Sequence, residues 1–67
     1  MSSGSCVGWT EDRGFGFVRD DAGGADLFVH RRDLANADSL AQGWRVSFKI
    51  GTDERRGKPK AVRVRVL

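Results

Sequence analysis

The stretch Arg13–Val18, RGFGFV, is the most informative part of this 67-residue sequence. Its side chains alternate in size, which is typical of a β-strand because successive residues of a strand point to opposite faces. Phe15 and Phe17 are therefore predicted to share one face, with Gly16 on the other. Phenylalanines on strands are usually core residues, so the remaining sequence must show whether the core needs these two rings.

Five segments of the sequence have the alternation and composition of short strands. They are Ser5–Glu11, Phe15–Arg19, Asp26–His30, Trp44–Ile50 and Ala61–Leu67. The adjacent glycines Gly23 and Gly24 permit positive φ and predict a turn between the second and third segments. Residues 31–42 are predicted to form a loop with one helical turn, anchored by Leu34 and Leu40. The sequence therefore predicts an all-β domain.

The length of the chain favours a single domain, residues 1–67, with residues 1–4 expected to be flexible. A sheet of this size protects its edges most simply by closing into a small barrel. The apolar residues at alternating positions supply the predicted core: Cys6, Val18, Leu27, Val29, Val46, Phe48, Ile50, Val62 and Val64. A small barrel has little volume left for three more phenylalanine rings, so these rings are predicted to lie outside.

Several classes of protein are excluded or disfavoured by composition. One cysteine cannot form an intramolecular disulfide, and one cysteine with one histidine cannot supply a structural zinc site. The apolar runs are too short to span a membrane, and residues 1–5 do not resemble a signal peptide. We therefore expect a cytoplasmic, monomeric domain with no cofactor, no metal, no small-molecule substrate and no membrane contact.

Basic residues surround the predicted outer rings. The chain has 12 Lys and Arg against 9 Asp and Glu, a net charge of +3, and six of the basic residues lie in residues 55–65. Phe28 and His30 have the same two-residue spacing as the first phenylalanine pair, so pairing of their strands would bring four rings to one surface. Flat rings next to arginines can stack on unpaired nucleobases while the cations meet the phosphates.

These motifs resemble the cold-shock domain family. Arg13–Val18 is similar to the first ribonucleoprotein motif of that family, and Leu27–His30, LFVH, is similar to the second. Gly43–Phe48 resembles the family's fourth strand, and Arg56–Val62 resembles its last loop and strand. The resemblance implies a five-stranded antiparallel β-barrel of OB type. It also implies binding of single-stranded RNA or DNA with little sequence preference, in the manner of an RNA chaperone.

The resemblance also implies which residues bind nucleic acid. The stacking platform would consist of Trp9, Phe15, Phe17, Phe28 and His30. Arg13 would lie beside the phosphates, and Asp26 would accept a hydrogen bond from a base amino group. Arg31, Arg56 and Lys58 are added as further contacts, because a guanidinium plane can stack and cations attract phosphates.

The sequence departs from the family pattern at aromatic positions. Gly8 stands where the family usually has an exposed tryptophan, and Arg31 stands where an aromatic residue is common. The following loop is about two residues shorter than in single-domain bacterial members and lacks their phenylalanine. Because each stacked base contributes about 1–3 kcal/mol, weaker binding is expected than for a full platform. The variant first strand is more similar to the cold-shock modules that head longer bacterial proteins.

Other functions have weaker support in the sequence. The glycines of residues 14–19 do not complete a dinucleotide-binding fingerprint, and residues 51–59 have the wrong spacing for a P-loop. His30 has no nucleophile in its motif, so we expect no enzymatic activity. A barrel that docks a partner protein through the phenylalanine patch remains the alternative, although protein-interface cores are usually depleted of charge.

Overall fold

The computed structural model describes all residues, 1–67, and confirms the all-β barrel. Its strands are β1 (Ser2–Thr10), β2 (Phe15–Asp20), β3 (Leu27–His30), β4 (Arg45–Asp53) and β5 (Lys58–Val66). They close in the order β1-β2-β3-β5-β4. All neighbouring strands are antiparallel except β3 and β5, which pair in parallel through Phe28 and Lys60. No helix in this fold is long and apolar enough to cross a membrane.

The connections follow the local sequence. Gly23 and Gly24 have φ values of 95° and 97°, which confirms the predicted turn between β2 and β3. The predicted helical turn is a single 3-10 turn at Arg31–Asp33. Beyond this turn the loop runs beside β5, where Leu34 forms a bridge with Val64. Leu40, further along the loop, is buried and closes the interior.

The interior of the barrel is small and entirely apolar. Its buried side chains are Cys6, Val18, Leu27, Val29, Leu40, Val46, Phe48, Ala61 and Val64. Phe48 is the only aromatic ring that is fully buried. Burial also raises the pKa of the Cys6 thiol, which agrees with a packing role for this residue. These residues therefore fill the barrel without the rings of β2 and β3.

β1 begins three residues earlier than the sequence predicts. Ser2 pairs with Phe48, and the ladder continues to the pair of Ser5 and Arg45. Residues 2–4, for which we expected flexibility, thus form the seam between β1 and β4. Gly4 is buried in this seam, where the β2 backbone approaches so closely that a Cβ atom would collide with the carbonyl of Arg19.

Two β-bulges change which residues face the interior. In β1 the register with β2 shifts between Cys6 and Gly8, so Val7 is an extra residue. In β5 the register with β4 shifts opposite Phe48, and Arg63 adopts a positive φ of 51°. A bulge reverses the inside–outside alternation of the strand that follows it. For this reason Val62, predicted to be core, is only half-buried, whereas its neighbour Ala61 is buried.

Ile50 is the second core prediction that is wrong. Its side chain is 56% exposed. The ladder between β1 and β4 ends at the pair of Ser2 and Phe48, so Ile50 lies beyond the part of β4 that β1 covers. Beyond Phe48, β4 and β5 continue as a two-stranded arm to the turn at residues 54–57. The arm places the basic residues of that turn near β3.

An ion pair ties the end of β2 to β4. Arg45 Nη1 donates to Asp21 Oδ1 at 2.7 Å and to Ser5 Oγ at 3.0 Å, and Nη2 donates to Asp21 Oδ2. This arrangement holds the pKa of Asp21 below its ordinary value, because the hydrogen bonds from Arg45 favour the charged carboxylate.

We expect the Asp21 pair to stabilise the barrel above about pH 4 and to lose this effect in acid. A carboxyl group with a lowered folded-state pKa contributes stability above its unfolded-state pKa, near 3.8, and the contribution disappears as the pH falls through the folded-state pKa. Urea unfolding from pH 6 to pH 2 should show a shallower acid loss in Asp21→Asn than in the unchanged chain. Asp12→Asn, at an exposed position without an ion pair, is the control. Equal acid loss in both variants would contradict the assignment.

Candidate nucleic-acid interface

Four rings lie together on the outer face of β2 and β3. Phe15 pairs with His30, and Phe17 pairs with Phe28, so the two strands present their rings side by side. The ring centroids of Phe15 and Phe28 are 5.4 Å apart, and those of Phe17 and Phe28 are 6.0 Å apart. We call Phe15, Phe17, Phe28 and His30 the ring platform.

Alternation along the strands sets the orientation of the ring platform. Val18 and Val29 point inward and are fully buried, so the platform residues that alternate with them point outward. Phe17 is 38% exposed, and the other three rings are half-buried by one another and by neighbouring side chains. This patch of partly exposed rings makes the outer face of β2 and β3 the candidate binding surface.

Trp9 does not belong to the ring platform. It pairs with Gly16, which in turn pairs with the buried Val29, so all three residues share the inner face. The indole packs against the core and covers Gly16 so closely that a Cβ atom there would lie 2.8 Å from Trp9 Cε3. Its Nε1 donates to Glu11 Oε2 at 2.8 Å. The structure therefore does not bring Trp9 to the face on which the sequence placed it.

Gly8, and not Trp9, is the β1 residue that lies beside the ring platform. It pairs with Phe17, and no atom lies within 4 Å of the place where a Cβ would be. The bulge at Val7 produces this arrangement, because it turns Gly8 outward and Trp9 inward. The ring platform thus has an empty position at its β1 edge.

Gly8→Trp is expected to tighten binding of a short single-stranded oligonucleotide by roughly 5-fold or more, since one added stacking ring contributes about 1–3 kcal/mol. The open space at Gly8 lets the new ring lie beside Phe17 without displacing the backbone. Fluorescence titration of both proteins measures the change. Ser3→Trp, at an exposed position of β1 away from Phe17, is the control and should bind as the unchanged chain does. A folded Gly8→Trp protein with unchanged affinity would contradict this assignment.

Two arginines flank the Phe15 edge of the ring platform. Arg13 lies exposed in the turn between β1 and β2. Arg31 donates its backbone N–H to Gly14 O at 2.8 Å, and its guanidinium covers Gly14, where a Cβ would lie 2.9 Å from Cζ. Gly14 has a positive φ of 70°, a conformation that glycine adopts without strain. Because Gly14 has no side chain, the guanidinium of Arg31 can pack directly on its backbone. Neither arginine has a carboxylate partner.

The arm between β4 and β5 brings more cations to the other edge. The Cζ atom of Arg56 lies 4.7 Å from the centroid of the Phe28 ring, a cation–π contact. Asp53 holds this arginine with an ion pair of 3.7 Å. An open groove of about 580 Å³ separates the arm from β3, and it is lined mainly by charged residues together with Phe28 and His30. Lys58 lies exposed beside Phe17 and Phe28 on the same side.

His30 of the ring platform and the neighbouring Asp26 are already engaged within the chain. Asp26 accepts two hydrogen bonds from Arg19, at 2.9 and 3.4 Å, and both side chains are solvent-exposed. His30 Nδ1 accepts from the backbone N–H of Arg32 at 3.2 Å, which fixes the orientation of the imidazole. A base that donates to Asp26 must therefore share this carboxylate with Arg19. The His30 ring is held in place by its hydrogen bond before any base binds.

Sequence reasoning did not identify Asp53, although this residue places Arg56 over Phe28. The only local signal was the spacing of Asp53 and Arg56, three residues apart in a turn. Lys60 is a further platform neighbour, because it pairs with Phe28 across the parallel seam and is held by Asp33 at 3.5 Å. These contacts depend on strand order, which local patterns do not encode.

Comparison with known proteins agrees with this geometry. The family model described as the "'Cold-shock' DNA-binding domain" matches residues 3–67. The chain belongs to this cold-shock domain family. It is 37% identical over 67 residues to the cold shock-like protein CspA of Vibrio cholerae, with 97% of this chain and 93% of the relative covered. It is 36% identical to the cold shock protein CspA of Rhizobium meliloti, with 97% of each chain covered.

The chain also matches a part of longer proteins. The protein lin-28 of Caenorhabditis elegans is 47% identical to this cold-shock domain over 49 residues, which cover 70% of this chain and 22% of the relative. The family match extends from β1 to the end of β5, so it includes every strand that contributes to the ring platform.

Proposed function

We propose that this cold-shock domain binds single-stranded RNA or DNA by stacking unpaired bases on the ring platform. The observation that carries the proposal is the outward orientation of Phe15, Phe17 and Phe28 over a core that is already filled. Bases in a duplex stack on one another and cannot lie flat on these rings, whereas unpaired bases can. The platform therefore selects single strands.

Low sequence specificity follows from the chemistry of the surface. Every base has a π-face, so stacking on phenylalanine discriminates little between bases. The two acceptor side chains at the platform, Asp26 and His30, are already engaged by Arg19 and by the backbone N–H of Arg32, so neither presents a fully free acceptor to a base edge. A protein that holds many sequences in the unpaired state disfavours base pairing, which is the activity of an RNA chaperone.

Phosphates would be contacted from both edges of the ring platform. Arg13 and Arg31 lie at the Phe15 edge, and Arg56 and Lys58 lie at the edge formed by the arm. Arg56 already lies over Phe28, so an incoming base either stacks against its guanidinium or displaces it from the ring. Both possibilities leave the cation close to the phosphates next to that base.

The proposed function is non-catalytic and needs only one copy of the chain, because all four rings lie on the same face. The expected partner is RNA or single-stranded DNA in the cytoplasm. A protein partner docked on the phenylalanine patch is less well supported, because free cations flank the patch at both edges.

We expect binding of a short oligo-dT or oligo-U to show a log–log salt slope of about −2 to −3. Three or four phosphate contacts at roughly −0.7 each give this value for a single strand. Affinity should persist at high salt, since stacking is not screened. A fluorescence titration at several salt concentrations, with a duplex of the same sequence as control, measures both properties.

Charge reversal of Arg56 and Lys58 to glutamate should flatten the slope by about one to two units and weaken all sequences alike. If neither single strand binds at millimolar concentration, or if the duplex binds as tightly as they do, the proposed function is wrong. In the first case, a protein partner for the phenylalanine patch becomes the better explanation.

A further inference from the structure

The outer face of the barrel continues from the ring platform onto β5 and β4. Lys60 of β5 pairs with Phe28 on one side and with Gly51 of β4 on the other. On the same face of β4, two residues before Gly51, Lys49 pairs with Val62, and four residues before Gly51, Ser47 pairs with Arg65. We call Lys49, Arg63 and Arg65 the back-wall cations, because β4 and β5 lie across the barrel from β2.

The back-wall cations have no acidic partners. The chain has four ion pairs, which engage Arg19, Arg45, Arg56 and Lys60. All three back-wall cations are exposed, and the outward positions of β4 and β5 between Lys60 and Arg65 contain no carboxylate. Three like charges without compensation raise the local positive potential and attract a polyanion.

Arg63 also adopts a backbone conformation that disfavours its residue type. Its φ of 51° makes it the only non-glycine residue with positive φ. Glycine or asparagine would be accommodated more easily at this bulge. The Arg63 side chain is exposed and has no hydrogen-bond or ion-pair partner within the chain, so its charge is the property to test.

Single-stranded nucleic acid fits the back wall better than a lipid surface. Surface-bound membrane segments insert large apolar side chains next to their cations. The outward residues between the cations are Ser47, Gly51 and the half-buried Val62, which present no large apolar side chain. The exposed Ile50 pairs with the buried Ala61 and so lies on the other face of β4, and the exposed Leu67 lies at the chain end. The outward positions of β4 and β5 between the cations carry no aromatic ring, so contacts there would be mainly to phosphates. Lys60 connects this wall to the ring platform, because it pairs with Phe28 on one side and with Gly51 of β4 on the other.

We propose that a single strand seated on the ring platform continues over Lys60 and that its phosphates contact Lys49, Arg63 and Arg65. The proposal rests on the proposed function and extends its site from the platform to the opposite wall. The binding site would then have two parts, a stacking part on β2 and β3 and a purely electrostatic part on β4 and β5.

The test compares a short and a long oligonucleotide. Site sizes of single OB folds range from about 4 to 16 nucleotides, so oligo-dT of about 4 and about 12 nucleotides separates the two parts. The unchanged chain should show a salt slope steeper by about 1.4 to 2 for the longer oligomer, from two or three added phosphate contacts. One protein per oligomer must be established for both lengths.

The double variant Arg63→Gly with Arg65→Ser removes two of the three contacts, so it should flatten the long-oligomer slope by about 1.4 and weaken binding of that oligomer about 10-fold at low salt. Binding of the short oligomer should not change. Arg63→Gly alone relieves the positive φ, so it should unfold at the same temperature as the unchanged chain or a higher one, and it should flatten the long-oligomer slope by about 0.7. Arg45→Ser with Asp21→Ser, which removes a paired cation and its partner, is the control.

The outcomes separate the two proposals. Equal slopes for the two lengths, or equal losses for both oligomers in the double variant, overturn the back-wall path and leave the ring platform intact. Failure of both oligomers to bind the unchanged chain overturns the proposed function itself. Salt-dependent binding to anionic vesicles that the double variant loses, without any change for the long oligomer, would assign the wall to a membrane instead.

Discussion

Phe28→Ala is expected to weaken binding of a short oligo-dT by about 10-fold or more while the barrel stays folded. Phe28 lies at the centre of the ring platform, where it contacts the rings of Phe15 and Phe17 and carries Arg56 on its face. Its removal deletes one stacking surface and leaves two others less well supported. A stacked base contributes about 1–3 kcal/mol, which is a factor of roughly 5 to 150 in affinity.

Fluorescence titration measures the affinity of Phe28→Ala, and far-UV circular dichroism with thermal unfolding reports on its fold. Phe15→Ala and Phe17→Ala should each weaken binding about 10-fold or more as well, since each removes one stacking ring. If Phe28→Ala instead unfolds the protein at room temperature, the ring is part of the core. The ring platform would then lose its physical basis.

Phe48→Ala should have the opposite phenotype and unfold the barrel. Phe48 is fully buried, and its ring is the largest side chain of the interior. Truncation of a buried phenylalanine costs about 3–5 kcal/mol, and the net stability of a domain this small is typically about 3–5 kcal/mol. Circular dichroism at 25 °C should therefore show mostly unfolded protein.

The comparison of Phe48→Ala with Phe28→Ala is internally controlled, because residue type and substitution are the same, while Phe48 faces the interior from β4 and Phe28 faces outward from β3. A folded Phe48→Ala protein whose melting temperature is close to that of the unchanged chain would contradict the assignment of the core.

The faces of β2 and β3 could be predicted from sequence because these strands are regular. Strict alternation puts Val18 and Val29 inside, and the same alternation puts Phe17 and Phe28 outside. The count of aliphatic residues then indicates that no more rings are needed in the core. Periodicity and volume were sufficient for this part of the site.

The bulged strands could not be predicted in this way. A strand with one extra residue has the same local composition as a regular strand, but all later side chains change face. The bulge at Val7 therefore turns Trp9 inward and Gly8 outward, and the bulge at Arg63 leaves the side chain of Val62 only half-buried. Only the partner strand reveals where the register shifts.

Side-chain pairs between distant elements are the other part that sequence reasoning missed. Arg19 engages Asp26 across the turn between β2 and β3, and Arg56 reaches Phe28 from the arm. The first pair needs only the antiparallel pairing of β2 with β3, whereas the second depends on the order of strands around the barrel. The basic residues of the last third of the sequence indicated a polyanionic partner. Their distribution between the arm and the back wall could be seen only in the closed barrel.

The parallel pairing of Phe28 and Lys60 makes the seam between β3 and β5 the shortest ladder of the barrel. Slow opening motions start where a fold has the fewest hydrogen bonds, so this seam is where the barrel would part first. A nucleic acid strand that contacts both Phe28 and Lys60 would hold β3 and β5 together at this seam. Ligand binding and the pairing of β3 with β5 would then be thermodynamically linked, so bound nucleic acid would stabilise the closed barrel against opening at this seam.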